Sequence, residues 1–433
     1  MGLKDEFDMA KNHVANIQWD QVMDEVQVFE TVIRYVGGLI SAYELSLEKI
    51  FIKKCVELVD LLLPAFDTPT NIPHQYIVLK TGKVFSSTSS SSGSELTNIA
   101  EAATCQLEFT RLSQITGDWK YHFTGQRVYK AFKKMKTPYK GLFPHLIDIN
   151  TGQARSDYYS WGGMADSFYE YLIKQYVLTK DEEKKEMAIQ AIHGMKTFLL
   201  QQPQGDAFQK LKFIGTINED QHYPAMGELA CFAPGSILLA AREIPELRNH
   251  SGDGQLEEDA RALLLGCYQA WISTRSGIAP EGFAWIPERG TSLDNLTVRQ
   301  KELAKIFGVF PYGASDYILR PETLESIFYF YQYNNDSIYQ DMAWTLFKNI
   351  NQYCKANSGY SGINNVDSTS PRWNDRQESF LFAETFKYLY IIWDEEPRFP
   401  FDQWVFNTEA HPFRITDIHP PSTITFIQSS LAQ

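Results

Sequence analysis

The sequence predicts an all-α fold, a closed barrel of antiparallel helix pairs, on three observations. Apolar residues recur at three- and four-residue spacing through most of the chain, strand-like alternation is sparse, and several apolar segments end on a similar polar turn. In chain order the periodic segments are Glu30 to Leu47, Ala100 to Ile115, Met164 to Leu178, Pro321 to Tyr333 and Glu378 to Trp393. The turns are Thr116-Gly117-Asp118, Thr179-Lys180-Asp181 and Asn334-Asn335-Asp336, whose Gly, Asn and Asp suit the stop of one helix and the start of the next. Such pairs can stack as an open solenoid or close into a ring. No regular period ties these segments together, which favours closure, with loops at one end lining a pocket.

With 433 residues and 44% apolar content, the chain can bury a large core without a disulfide. No Pro/Gly-rich linker or long charge run divides it, so one domain over residues 1–433 is expected, with Ser86 to Ser94 as a surface loop. A net charge of −13 argues against a nucleic-acid groove or an anionic membrane surface, both of which need clustered Lys and Arg. No apolar run reaches the roughly 18 residues of a membrane span. The opening Met1-Gly2-Leu3-Lys4-Asp5-Glu6 lacks both the apolar stretch of a signal peptide and a Ser or Thr at position 6 for myristoylation. Five cysteines, at 55, 105, 231, 267 and 354, show no CxxC spacing and give no support to a zinc or thioredoxin-like site. Three glycosylation sequons, at Asn249, Asn295 and Asn335, are about what chance provides. Aromatic residues make up 14% of the chain; sugar-binding clefts use such surfaces, although core packing is their commoner role.

The chemistry lies in carboxylates set inside otherwise apolar or aromatic helices, where an ionised side chain is costly. Glu30 stands in Val28-Phe29-Glu30-Thr31-Val32-Ile33-Arg34, and Asp166 in Gly163-Met164-Ala165-Asp166-Ser167-Phe168-Tyr169. Glu322 and Glu325 follow Leu319-Arg320-Pro321, while Glu378 and Glu384 bracket Ser379-Phe380-Leu381-Phe382-Ala383. Singly, each has a plain structural role open to it. Glu30 and Arg34 can be a helix-face ion pair, Glu322 can favour a helix N-terminus, and Asp166 can cap a neighbour. Together, inner barrel helices would aim them at one axial pocket. Such a pocket suits oxygen coordination of calcium and hydrolysis of a glycosidic bond by an acid and a base.

These residues fall in a wider set of motifs: Phe29-Glu30-(three residues)-Arg34 with Gly37-Gly38-Leu39, Ala165-Asp166-Ser167-Phe168-Tyr169-Glu170-Tyr171, Cys231-Phe232-Ala233-Pro234-Gly235, Leu319-Arg320-Pro321-Glu322-Thr323, Glu378-Ser379-Phe380, Ala383-Glu384-Thr385, and Val405-Phe406-Asn407-Thr408-Glu409-Ala410-His411-Pro412. Through them the chain resembles class I α-1,2-mannosidases, glycoside hydrolase family 47, over nearly its whole length. The resemblance implies an (α/α)7 barrel that removes α-1,2-linked mannose from high-mannose N-glycans with inversion and in dependence on calcium. Thr408 would bind calcium through its hydroxyl and backbone carbonyl, and Glu325, Glu384 and Glu409 would hold waters or the bound sugar. Glu322 would be the base acting on a water and Glu30 the acid, with Asp166 competing for both roles. Arg34 and Arg320 would position the carboxylates and contact sugar, and Phe380 would stack against a mannose face. Cys231 and Cys267 occupy the places of the family's disulfide, and the resemblance implies the secretory pathway, in the endoplasmic reticulum or Golgi lumen or as a secreted protein, although no targeting signal is read here. A monomer acting on glycoproteins is expected.

Two features depart from the family pattern. The first barrel helix, with its acidic Asp-Ser-Leu-Asp-Thr-like motif, is expected to be missing, which would expose apolar faces of its neighbours. Glu228 also stands where a His commonly precedes the Cys-Phe pair. These departures motivate an alternative, a catalytically impaired mannose-glycan-binding protein of the glycoprotein-degradation type. A helical interaction scaffold is a third reading, but it leaves the axial carboxylates without a purpose.

Overall fold

The structure, a computed structural model, describes residues 2–89, 93–250, 255–395 and 397–421. Two kinds of helix account for it, and burial tells them apart. Asp166–Thr179 buries every residue from Ser167 onward, Gln106–Thr116 buries Gln106 to Gln114, and Glu322–Asn334 buries Thr323 to Phe330. Helices enclosed on all sides belong to the interior. By contrast, Lys49–Leu62 buries only Phe51, Cys55, Leu58, Val59 and Leu62, and Ser337–Tyr353 only Tyr339, Met342, Ala343, Leu346 and Ile350. That single stripe at three- and four-residue spacing is the mark of a helix with one face in water.

Among the described residues the inner helices succeed one another in chain order: Gly37–Ser46, Gln106–Thr116, Asp166–Thr179, Ala233–Glu243, Glu322–Asn334 and Phe386–Ile392, each packed on the next. Lys49–Leu62, Lys120–Arg127, Glu182–Gly194, Gln255–Ile272 and Ser337–Tyr353 return along their outer sides. Lys4–Ala15 packs on Lys49–Leu62 and has no fully buried residue. The predicted polar turns reverse the chain as expected. Gly117, Lys180 and Asn335 take left-handed φ of 77°, 56° and 49°, and their amides close on carbonyls of the preceding helix. One hydrophobic cluster runs through the inner helices and joins the buried faces of the outer ones.

Several local expectations need correction. Ala100 to Ile115 is two helices, Ile99–Ala103 and Gln106–Thr116. The chain breaks at Thr104, whose hydroxyl donates to Ser167 Oγ at 2.9 Å. Glu30 to Leu47 and Glu378 to Trp393 are not regular either, because π-helical turns occupy Thr31–Val36 and Leu381–Thr385. Strand content exceeds the sequence reading, with six small sheets of two or three short strands among the described residues. Segments of two to four residues are too short for alternation to register. Within the Ser-rich run, Thr88 and Ser89 pair with Leu96 and Glu95, through backbone groups that serine repetition conceals. Ser90 to Ser92 of that run, and Ser251 of the first sequon, lie outside the described residues. Cys231 and Cys267 form a disulfide, while Cys55, Cys105 and Cys354 are buried free thiols. No helix among the described residues is long and apolar enough to cross a membrane.

Candidate active site

The hairpin of Trp404–Phe406 and Pro412–Arg414 carries its connecting loop, Asn407 to His411, into the barrel. Asn407 is fully buried and holds the loop from four sides. Its amide nitrogen donates to Ile33 O at 3.0 Å and Glu108 Oε1 at 2.8 Å, and its amide oxygen accepts from the backbone N–H of Glu409 at 2.9 Å and His411 at 2.8 Å. Gly37 is required here, because a Cβ on it would lie 2.5 Å from Asn407 Nδ2. Tyr171 donates to Glu108 at 2.6 Å and receives the Thr408 N–H at 3.3 Å. Lys387 donates to Ala410 O at 2.8 Å from the opposite side. Thr408 stands at the loop tip. Its hydroxyl makes no hydrogen bond within the described protein, which leaves it available to a ligand.

Around that tip is a cavity of about 310 Å³, near the lower end of small-ligand sites. Its wall includes Glu30, Arg34, Asp166, Arg320, Glu322, Phe380, Glu384, Thr408 and Glu409. Nine of the ten residues expected to act on substrate or cation therefore meet in one place. The tenth, Glu325, is one helical turn beyond Glu322 and lies behind the wall, in contact with Lys174. Non-glycine residues at positive φ flank three of these positions: Met164 (75°), Leu319 (73°) and Ala410 (56°). Strained backbone of this kind is held only where surrounding packing enforces it. Arg34 and Glu384 lie in two of the three π-helical turns among the described residues, a feature that recurs at functional sites; the third, Met195–Leu199, is elsewhere.

The electrostatics divide the acids. Glu30 keeps an exposed flank and is paired with Arg34 Nε at 2.6 Å; Arg34 also reaches Glu409 at 2.9 Å. Asp166 is half-buried in the cavity wall and, among the described residues, receives the Ser167 N–H at 2.8 Å. Burial, with Glu170 and Glu322 nearby, pushes its carboxyl up to about 7. Burial and then mutual repulsion raise Glu384 well above the ordinary carboxylate range, and burial carries Glu409 up to about 7 against the pull of Arg34. Glu325 is pushed up to about 8 by burial, although Lys174 opposes the shift. Phe380 lies between the guanidinium groups of Arg34 and Arg320, 5.8 and 6.0 Å from its ring centre.

Sequence reasoning missed several members. Glu281 accepts from Arg320 Nε at 2.5 Å and holds that guanidinium against the cavity; the Ala279-Pro280-Glu281 stretch offers no signal for it. Lys174 is fully buried, donating to Glu170, Glu325 and the Asn407 carbonyl. Its sequence signal is the same one that marked the acids, a charge inside an apolar helix. Glu101 lines the cavity and is saturated by Gln27, Gln75 and Asn98. Asn98 caps the helix that carries Glu101, an N-x-x-E start legible in the sequence.

No group of three His, Cys, Asp or Glu is arranged to hold a metal among the described residues. The donors around Thr408 are nonetheless all oxygen, and the acids there outnumber the arginines. A hard cation that accepts hydroxyl, carbonyl and water oxygens fits that chemistry, whereas one that needs a cage of nitrogen or sulfur ligands does not.

The profile of glycosyl hydrolase family 47 matches residues 1–415. Mannosyl-oligosaccharide 1,2-alpha-mannosidase IB of Homo sapiens is 36% identical over 417 residues, covering 96% of this chain and 61% of the relative. The endoplasmic reticulum mannosyl-oligosaccharide 1,2-alpha-mannosidase of Rattus norvegicus is 35% identical over 422 residues, covering 96% of this chain and 60% of the relative. The chain thus spans about three fifths of the length of these curated relatives. Among solved structures, alpha-1,2-mannosidase from Trichoderma reesei superposes with a TM-score of 0.86 at 31% identity, over 96% of this chain and 88% of that one. The fold is that of an (α/α)7 barrel.

Proposed function

This chain belongs to glycosyl hydrolase family 47, and from that premise we propose that it removes terminal α-1,2-linked mannose from high-mannose N-glycans, with inversion and in dependence on calcium. The observation that carries the reading is the meeting of Glu30, Asp166 and Glu322 with Thr408 in one cavity, from four distant parts of the chain. Inverting hydrolysis needs a proton for the leaving oxygen and a base for the water on the opposite face. Glu322 is the base: it takes a proton from the water as that oxygen bonds to the anomeric carbon, and the product is β-mannose. For the acid, the electrostatics favour Asp166 over Glu30. Burial keeps the Asp166 proton up to about pH 7, whereas the Glu30 carboxylate is engaged by Arg34.

Arg34 and Arg320 hold the sugar hydroxyls, and Phe380 offers its face between them. Thr408 would hold calcium through its hydroxyl and carbonyl, with Glu384 and Glu409 holding waters and Glu325 supporting from behind. When bound, calcium supplies a fixed positive charge that orients sugar hydroxyls and water. The lumen of the endoplasmic reticulum or Golgi is the proposed place of action, supported by the rat relative's name and by the disulfide. The test is mass spectrometry of a high-mannose glycan incubated with the purified protein. Stepwise loss of mannose that stops with chelator and resumes with calcium is expected. Glycan binding without any loss would replace this reading with that of a binding protein.

A further inference from the structure

Glu228 opens the short turn Glu228–Phe232, which packs on the Glu322–Asn334 helix directly behind Glu322. It is fully buried, and no ion pair among the described residues reaches it. Its Oε1 accepts from Thr323, from the backbone N–H at 3.2 Å and the hydroxyl at 2.8 Å. Its Oε2 is enclosed without a protein donor, and so is Oε2 of Glu322. Because Glu228 holds the N–H of Thr323, the residue next to Glu322, the two carboxyl groups are neighbours, each with one enclosed oxygen that lacks a donor. The other charged or titratable groups facing Glu228 are Glu281, Arg320 and Tyr317. Arg320 is engaged by Glu281 at 2.5 Å and stands 3.8 Å from Glu322. Two neighbouring carboxylates that each carry an enclosed oxygen without a donor are costly when both are ionised; one shared proton would satisfy both oxygens at once.

We propose that Glu228 is a positioning residue that keeps its proton in the working enzyme and donates a hydrogen bond to the Glu322 carboxylate, fixing its aim at the attacking water. Burial and the neighbouring Glu322 raise Glu228 well above the usual carboxylate range, in keeping with that state. The inference rests on Glu322 as the base, so one arm of its test does not depend on turnover.

The experiment compares the full chain with Glu228→Ala and Glu228→Gln, measuring kcat, KM and the pH profile of kcat/KM on an α-1,2-linked mannose disaccharide. Glu228→Ala should lower kcat at least tenfold with KM within threefold, and should move the acid limb of the profile to higher pH, because the carboxylate loses a donor. Glu228→Gln, whose amide has the same shape and can donate, should restore most of kcat and leave the limb in place. An ionised Glu228 predicts the opposite sign: both variants would move the limb to lower pH, as a repelling charge is removed. That result, or no movement in either variant, overturns the proposal. Independently, the infrared difference spectrum between wild type and Glu228→Gln at pH 7 should contain a protonated carboxyl stretch, and its absence also overturns the proposal. A band accompanied by no mannose release keeps the shared proton and removes the hydrolase reading.

Discussion

Replacing Asn407 by Ala removes four buried hydrogen bonds that seat the loop bearing Thr408: two to Ile33 O and Glu108, and two from the N–H groups of Glu409 and His411. Each such bond contributes about 1 kcal/mol net, so the loss should be about 4 kcal/mol. Unfolding entropy of about 2.1 cal/mol/K per residue over 433 residues gives roughly 0.9 kcal/mol/K, and the expected fall in Tm is about 4–5 °C. Scanning calorimetry measures it. The same variant should bind calcium more weakly, because Thr408 loses its anchor. Asn407→Asp sharpens the test by placing a second acid 2.8 Å from Glu108 Oε1, in a pocket where burial already pushes Glu108 up to about 7. An acid raised in the folded state binds more protons than the unfolded chain, so its stabilising share is lost as pH climbs from the unfolded value toward about 7. Asn407→Asp should therefore be much less stable at pH 8 than at pH 5, relative to wild type. A Tm change below about 1 °C for Asn407→Ala, or no pH dependence for Asn407→Asp, would refute the view that this residue seats the loop.

Asp166 holds its proton up to about 7, so turnover should decline as pH rises through that value, and Asp166→Asn should remove most of kcat together with the alkaline limb; kinetics from pH 5 to 9 check this. Breaking the Cys231–Cys267 bond with Cys267→Ser frees a loop of 36 residues, which should cost about 3–4 kcal/mol, visible as a lower urea midpoint. Phe380→Ala should raise KM about tenfold on the disaccharide with a smaller change in kcat, since it removes an apolar face rather than a proton carrier.

The barrel was legible because apolar residues recur at three- and four-residue spacing and polar turns separate the helices; which helices lie inside was not, since Gln106–Thr116 buries Gln106, Glu108, Arg111 and Gln114 as well as its apolar residues. The acids could be read because Asp166 and Glu322 stand in segments rich in apolar and aromatic residues, where an ionised side chain is costly. The π-helical turns at Thr31–Val36 and Leu381–Thr385 left no trace, because one extra residue in a turn barely alters an apolar period averaged over several turns. Thr408 is an ordinary threonine in sequence, and only the motif around it and the loop that carries it give it significance. Glu281 was invisible because its partner Arg320 is 39 residues away and neither lies on a shared periodic face. Glu325 was grouped with Glu322 by proximity along the helix, yet one turn of helix sets it behind the wall, facing Lys174.

The most direct measurement is proton NMR of the mannose first released from an α-1,2-linked disaccharide, for wild type and Glu322→Gln with calcium present. The account predicts that β-mannose appears before mutarotation and that Glu322→Gln releases none while still binding the sugar. An α-anomer as first product, or unimpaired release by Glu322→Gln, would contradict it.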